Sequence, residues 1–460
     1  MLLSFSITNY RSFRDEQTLS LFASKRLGGD ETPYCREVPG TKEHVLRVAS
    51  LYGANGAGKS NLVKALQLVQ RLVLQGTAPG NPMPCKPFLL DKHSSTEPTL
   101  FEIQFVADEN VYEYGLCYDH KHVHEEWLHT YKGTRELSVF AREQNDRGDV
   151  TVQLGPAVDT KHLKRIDALA KVGARPNQPF LAEVVNLDSS EAQGPHFRNA
   201  IAWFSSALTV FAPGKRSGPL AHAIVGDDSF ADFAGRFLRD ASTGITSLEV
   251  QSKKVPMSEF NWFPPELLQR ILDNNPERPG VPLAGPEGEE YWVERAEKGQ
   301  ITHHRILALH ETGNKNAILL PLRDESDGSL RLLDLLPILY RLTKQDGVFV
   351  IDEIERSMHP MLVRKFVEFF LKAVPDAKSQ LIFTTHESTL LAQDLMRRDS
   401  IWFSEKDNEG ATHLYSLADF NVRNDLRIDK GYLQGRFGAI PFLGGLDELM
   451  EEQTAGETAE

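Results

Sequence analysis

The chain has 460 residues, a formal net charge of −13, and 41% hydrophobic against 25% charged residues. That length suits two or three lobes, and the balance is that of a soluble globular protein. The acidic excess argues against a surface wrapped in nucleic acid but leaves room for a local basic groove. No apolar run approaches membrane-spanning length. Cys35, Cys85 and Cys117 form no Cys-x-x-Cys pair, and residues 1–7 lack the features of a signal peptide. Together these predict a cytoplasmic protein with reduced thiols.

In chain order, residues 2–10 alternate as a strand, Arg11-Ser12-Phe13 follow, and residues 19–23 read as a second strand. Residues 28–40 are loop-rich. Residues 45–52 are apolar and β-prone enough for a buried strand. Then comes Gly53-Ala54-Asn55-Gly56-Ala57-Gly58-Lys59-Ser60, which fits G-x-x-x-x-G-K-[ST], and residues 61–69 have helical apolar spacing. Strand, glycine loop and helix is the context a phosphate-binding loop needs. Glycines let backbone N–H groups approach phosphate oxygens, and the helix N-terminus adds partial positive charge. Lys59 reaches the β- and γ-phosphates, and Ser60 ligates Mg²⁺. Gly53, Asn55, Gly56, Gly58, Lys59, Ser60 and Asn61 are the expected nucleotide contacts.

Residues 76–87 are dense in Gly and Pro and read as an irregular connection. Residues 99–106, 111–118, 123–131 and 137–142 alternate with period two and predict an antiparallel meander. His120, His122 and His124 have alternate spacing, but the first two fall at a hairpin turn, where solvated side chains are expected rather than a metal site. Residues 161–188 and 197–240 look helical, broken near 173–179 and at Pro213-Gly214. A Pro/Gly cluster spans 280–288. The region 190–300 reads as a partly helical inserted lobe, with no heptad run for long coiled-coil arms.

Further on, residues 291–296 and 301–309 predict strands, and residues 330–342 a helix despite Pro337. Apolar strands at 347–352 and 380–384 flank a helix at 361–373, and late strands fall at 401–403 and 413–417. This alternation suggests a mostly parallel sheet. Val348-Phe349-Val350-Ile351 ends in Asp352-Glu353, and such a strand is expected beside the loop's own strand. Asp352 would hold Mg²⁺ and Glu353 would polarise the attacking water. Thr343-Lys344-Gln345-Asp346 matches a guanine-reading pattern but lies between a helix and the carboxylate strand, so ATP is preferred over GTP.

The order Gly53 to Ser60, Ser326-Asp327-Gly328-Ser329, Asp352-Glu353, residues 355–360 and His386 resembles an ABC-type ATPase head of the SMC/RecF/OLD group. Within that group the chain is similar to the AAA_15-type ATPases of bacterial anti-phage defence systems, nearly throughout and least clearly from 190 to 300. The resemblance implies an α/β P-loop NTPase: an ABC-ATPase head with a mixed sheet core, an antiparallel β lobe and an inserted, mostly helical lobe. The domains expected are an N-terminal ATPase lobe (1–189), the insert (190–300), a C-terminal ATPase lobe (301–445) and an acidic, disordered tail (446–460).

It further implies head-to-head dimerisation around ATP, with Ser326 and Gly328 in a degenerate signature loop facing the partner's γ-phosphate. Residues 355–360 would be the D-loop crossing the interface. His386 would be the switch histidine that contacts the γ-phosphate. The segment 175–181 resembles the Q-loop region, but Asn186 stands where a glutamine is expected. The function implied is an ATP-hydrolysing switch, with ATP and Mg²⁺ as cofactors, that gates a separately encoded effector in anti-phage defence. A TOPRIM-like or RloB-like protein would be that effector, and a phage protein or DNA the trigger. The alternative is a RecF-like DNA-maintenance ATPase. No membrane partner is expected.

Overall fold

The computed structural model describes residues 1–28, 33–133, 135–145, 147–159, 163–187, 190–212, 220–260, 262–273, 280–286, 289–297, 299–311, 316–342, 344–392, 394–420 and 427–440. The acidic tail 446–460, the Pro213-Gly214 break and Thr343 lie outside the described residues. The chain divides into two compact units. One comprises Met1–Pro213, Asp346–Ile354 and Pro375–Glu460, the other Gly214–Gln345 and Glu355–Val374. These limits differ from the expected 189/190 and 300/301 boundaries. Residues 190–212 stay with the first unit because Phe197, Trp203 and Phe204 are buried in its core.

The first unit holds a six-stranded sheet in the order Leu208–Phe211, Val348–Ile351, Gln380–Thr384, Val48–Tyr52, Ile401–Lys406, Thr412–Ser416. The first five strands are parallel and the last is antiparallel. Val48–Tyr52, Val348–Ile351 and Gln380–Thr384 are buried at every position, as expected of continuous apolar runs in a parallel sheet. One expectation is corrected here. The carboxylate strand Val348–Ile351 does not adjoin the loop strand Val48–Tyr52. Gln380–Thr384 lies between them, pairing Leu381 with Phe349 on one side and with Val48 on the other. A run apolar on both faces suits that central place, and it brings the end of a third strand between the loop and the carboxylates. Leu208–Phe211 falls in a stretch expected to be helical; four residues carry too little pattern to reveal a strand that its parallel neighbour specifies.

The second sheet of this unit has seven strands in the order Val150–Leu154, Arg135–Gln144, Val123–Lys132, Asn110–Tyr118, Thr99–Ala107, Leu2–Thr8, Gln17–Ser20. All pairings are antiparallel, which is the expected meander extended by the N-terminal hairpin. Along Thr99–Ala107, Phe101, Ile103 and Phe105 are fully buried while Glu102 and Gln104 are half-buried. The buried rows join Leu62, Leu66, Val69 and Val73 of the helix Lys59–Gln75 in one core. Each such side chain contributes roughly 1.5–3 kcal/mol on burial.

The second unit carries a sheet in the order Ile245–Pro256, Gln300–Glu311, Glu290–Arg295, Gly280–Ala284, with Ala317–Pro321 also pairing Gln300–Glu311. Its helices include Asp228–Asp240, Pro265–Asp273, Asp327–Leu342 and Pro360–Ala373. Ile245–Pro256 and Gly280–Ala284 add strands to a region expected to be partly helical. Glu249 and the exposed run 251–254 mask the alternation of the first. Pro282 sits on the sheet's edge, where a missing N–H is tolerated. Phe233, Phe237, Tyr340 and Phe369 form an aromatic cluster in which Phe237 meets Phe369 edge to face. Among the described residues, no helix is long and apolar enough to cross a membrane.

Candidate functional site

The loop Gly53 to Ser60 connects the buried strand Val48–Tyr52 to the helix Lys59–Gln75. Gly58 precedes that helix with φ 110, which L side chains rarely adopt. Asn55 and Gly56 are exposed, and Lys59 is buried. The Lys59 ammonium donates to the carbonyls of Gly53 at 2.8 Å and Ala54 at 3.1 Å. It thus curls over its own loop, held by oxygens that a phosphate would replace with stronger, charged acceptors.

Ser60 Oγ donates to Asp352 Oδ1 at 3.1 Å. Thr384 Oγ1 donates to the same oxygen at 2.6 Å. Asp352 is 1% exposed, just past the carboxylate strand, and its N–H donates to the Phe211 carbonyl at 2.9 Å. The strand that the sequence reading missed therefore orients the predicted metal ligand. Glu353 turns into the left-handed region, with φ 51, and its N–H donates to Thr384 Oγ1 at 2.8 Å. Adjacent strand residues point to opposite faces; the turn at Glu353 releases it from that rule. His386 is exposed two residues beyond Gln380–Thr384. Asn61 donates through Nδ2 to Ser12 Oγ at 2.8 Å, so its side chain is engaged by the Arg-Ser-Phe element.

Ser326 and Gly328 belong to the second unit. Ser326 Oγ accepts the Ser329 N–H at 3.1 Å, capping the helix Asp327–Leu342. A Cβ on Gly328 would lie 2.7 Å from the Ser357 carbonyl oxygen, so this loop and the expected D-loop touch backbone to backbone. Ser357 itself has φ 59.

Four residues of the site escaped the sequence reading: Ser12, Thr384, Ser404 and Thr412. Thr384 precedes His386 by two positions, the one local signal for it. The side chains of the Q-loop region are engaged within the fold. Gln178 is 2% exposed and accepts the Thr77 N–H at 2.7 Å, with its amide against Gly76. It fastens the C-terminal end of the loop helix. Asn186 Nδ2 donates to the Ala182 carbonyl at 3.0 Å. His124 Nε2 lies 3.1 Å from Asp119 Oδ2. Among the described residues, no group of His, Cys, Asp and Glu is arranged to hold a metal by itself.

The donor set at the loop does fit a small hard cation shared with a phosphate: one hydroxyl and one carboxylate oxygen already in contact, beside a helix N-terminus.

Residues 48–152 and 187–392 match the family model described as "AAA domain, putative AbiEii toxin, Type IV TA system". The chain belongs to this AAA-domain family. The match spans the loop, the carboxylate pair and His386. The AAA_15 resemblance thus lands close to the AAA-domain family that the chain matches. The SMC head domain from Thermotoga maritima is similar at 11% identity and TM-score 0.37, covering 90% of this chain and 98% of that one. An Smc head with an extended coiled coil bound to the C-terminal domain of ScpA, derived from Pyrococcus furiosus, is similar at 10% identity and TM-score 0.34, covering 90% and 96%. No curated protein matches.

Proposed function

We propose that this AAA-family chain binds ATP with Mg²⁺ at the loop Gly53 to Ser60, hydrolyses it, and uses the cycle to gate a separately encoded effector in anti-phage defence. The observation that carries the reading is the contact of Ser60 with Asp352 at 3.1 Å, across 292 positions of sequence. A hydroxyl at a helix start and a buried carboxylate at a strand end are the oxygens that a magnesium ion beside a phosphate would take, and the fold brings them together.

When bound, the magnesium nucleotide supplies the electrophilic phosphorus and a concentrated charge. The chain's own residues do the rest. Lys59 exchanges the Gly53 and Ala54 carbonyls for phosphate oxygens. Ser60 and Asp352 present oxygens to the metal. Glu353 accepts the proton of the attacking water, and His386 senses the terminal phosphate. Ser326 and Gly328, at the start of a helix of 16 residues, face the phosphate held by a second copy. The family description names a putative toxin of a Type IV TA system, which supports a role in a two-component system.

The test is equilibrium binding of MgATP to the wild-type chain and to Lys59→Ala. Wild type binds and turns over, and the variant loses at least about tenfold in affinity. Equal affinity in the two proteins rejects the site. ATP-strengthened, salt-sensitive binding of DNA by the wild type would favour the RecF-like alternative.

A further inference from the structure

We propose that Ser404 and Thr412, on the last hairpin of the core sheet, are positioning residues that set the direction of an anion-binding N–H in the nucleotide loop. The proposal rests on the reading of Gly53 to Ser60 as an ATP site and assigns part of its affinity to residues far outside the motif.

The two hydroxyls converge on one atom. Ser404 Oγ donates to the Ala57 carbonyl at 2.8 Å, and Thr412 Oγ1 reaches the same oxygen at 2.9 Å. Ser404 is fully buried and Thr412 is 1% exposed. Thr412 Oγ1 also lies 2.8 Å from Ser12 Oγ, which accepts from Asn61 Nδ2. A hydroxyl has one proton and a carbonyl has none. Thr412 therefore shares its proton between Ser12 Oγ and the Ala57 carbonyl. Ser12 and Thr412 thus link Asn61 on the loop helix to Ala57 in the loop. Thr412 N–H donates to the Ser12 carbonyl at 2.7 Å, closing the frame through the backbone.

An amide carbonyl has two acceptor sites, and here both are taken, which fixes its direction. The peptide unit is planar, so the Gly58 N–H points opposite to the Ala57 C=O. The carbonyl faces the hairpin, so the N–H points away from it. That is the side a phosphate would occupy. The hairpin also explains the glycine: a Cβ on Gly58 would come within 2.3 Å of Thr412 Oγ1 and 3.0 Å of Ser12 Oγ. Likewise, a Cβ on Gly53 would come within 2.3 Å of the Ser404 carbonyl oxygen. The loop is moulded against the hairpin at both ends.

The experiment compares the full-length wild type with Ser404→Ala, Thr412→Val, the double variant, Thr412→Ser and Lys59→Ala. Three quantities are read: MgADP affinity with a fluorescent analogue, KM against kcat for ATP, and the melting temperature without nucleotide. Because either hydroxyl can hold the carbonyl, each single change weakens MgADP roughly threefold and the double change at least about tenfold. KM rises in step while kcat holds, and Thr412→Ser restores affinity to within about twofold. A double variant that binds MgADP like wild type overturns the proposal, as does a loss of affinity that Thr412→Ser fails to restore. If the double variant does not fold, the two single variants decide, since unchanged affinity in both overturns it equally. A wild type that does not bind nucleotide, or binds no better than Lys59→Ala, sinks the ATP reading as well. A clear gap between those two proteins with an unaffected double variant sinks the clamp alone.

Discussion

Thr384 hands its hydroxyl proton to Asp352 at 2.6 Å, on the same carboxylate oxygen that Ser60 reaches from the loop helix. The threonine oxygen in turn accepts the Glu353 N–H at 2.8 Å. One side chain thus orients the proposed metal ligand and the backbone of the proposed base.

Thr384→Val keeps the shape and removes the hydroxyl. A hydrogen bond to a buried carboxylate is worth about 1.5–3 kcal/mol. The variant is expected to melt a few degrees lower and to need more magnesium to bind ATP to the same extent. A magnesium titration of nucleotide binding reads this, and an unshifted curve removes Thr384 from the site.

Glu353→Gln should slow ATP turnover by about 10²–10⁴ while leaving affinity intact. Glu353→Gly adds a second reading. A left-handed non-glycine residue costs roughly 1–2 kcal/mol, which glycine relieves at some entropic cost. The glycine variant is expected to be as inactive as the glutamine variant yet no less stable than wild type. Steady-state kinetics and calorimetry check the pair. Wild-type turnover in either would move the base elsewhere.

Gly328→Ala is a steric probe of the second unit. The added methyl meets the Ser357 carbonyl at 2.7 Å, and backbone on both sides must move. Overpacking of this kind costs about 1–3 kcal/mol. Reduced thermal stability is expected, together with weakened ATP-dependent self-association if this loop acts in trans. Size-exclusion chromatography with non-hydrolysable ATP measures the second effect.

Glu126 supplies the pH test. It is 1% exposed, accepts from Tyr114 Oη at 3.0 Å and from the Leu181 N–H at 3.1 Å, and also takes the Phe180 N–H. Burial raises its pKa above the ordinary 4.5, against the pull of Arg142 and these donors. A raised folded-state pKa means that its stabilising contribution is complete below the unfolded pKa and is lost as pH rises through the folded one. The stability gap between wild type and Glu126→Gln should therefore be widest below pH 4.5 and narrow as pH rises above it. Denaturant titrations across that range test the sign; a gap that widens with pH contradicts it.

The parts of the site legible in the sequence are those whose chemistry is written in adjacent residues. The loop from Gly53 to Ser60 fixes its own spacing, and Asp352-Glu353 end an apolar run. The meander was equally plain because its alternation is local. What stayed hidden depends on partners distant in the chain. Leu208–Phe211 is a strand only because Val348–Ile351 lies beside it. The polar tips of Ser12, Thr384, Ser404 and Thr412 carry no periodic signal, and serine and threonine are ordinary at strand ends. The order of the central strands was missed because each apolar run fits any buried position, and nothing short of the pairing itself separates them.

The contact of Ser12 with Thr412 bridges 400 positions, and Gln380 holds Leu2 across 378. During synthesis, the loop that gives the site its signature emerges early, but Thr412 of the hairpin that shapes it follows Ala57 only 355 positions later. A nascent chain halted after His386 would contain every recognisable motif and still lack the mould for Ala57 and Gly58. Contacts this distant also demand late, entropically costly closure. Nucleotide competence is therefore expected to appear only after the hairpin has been made, which gives a young chain little chance to hydrolyse ATP before its site is complete.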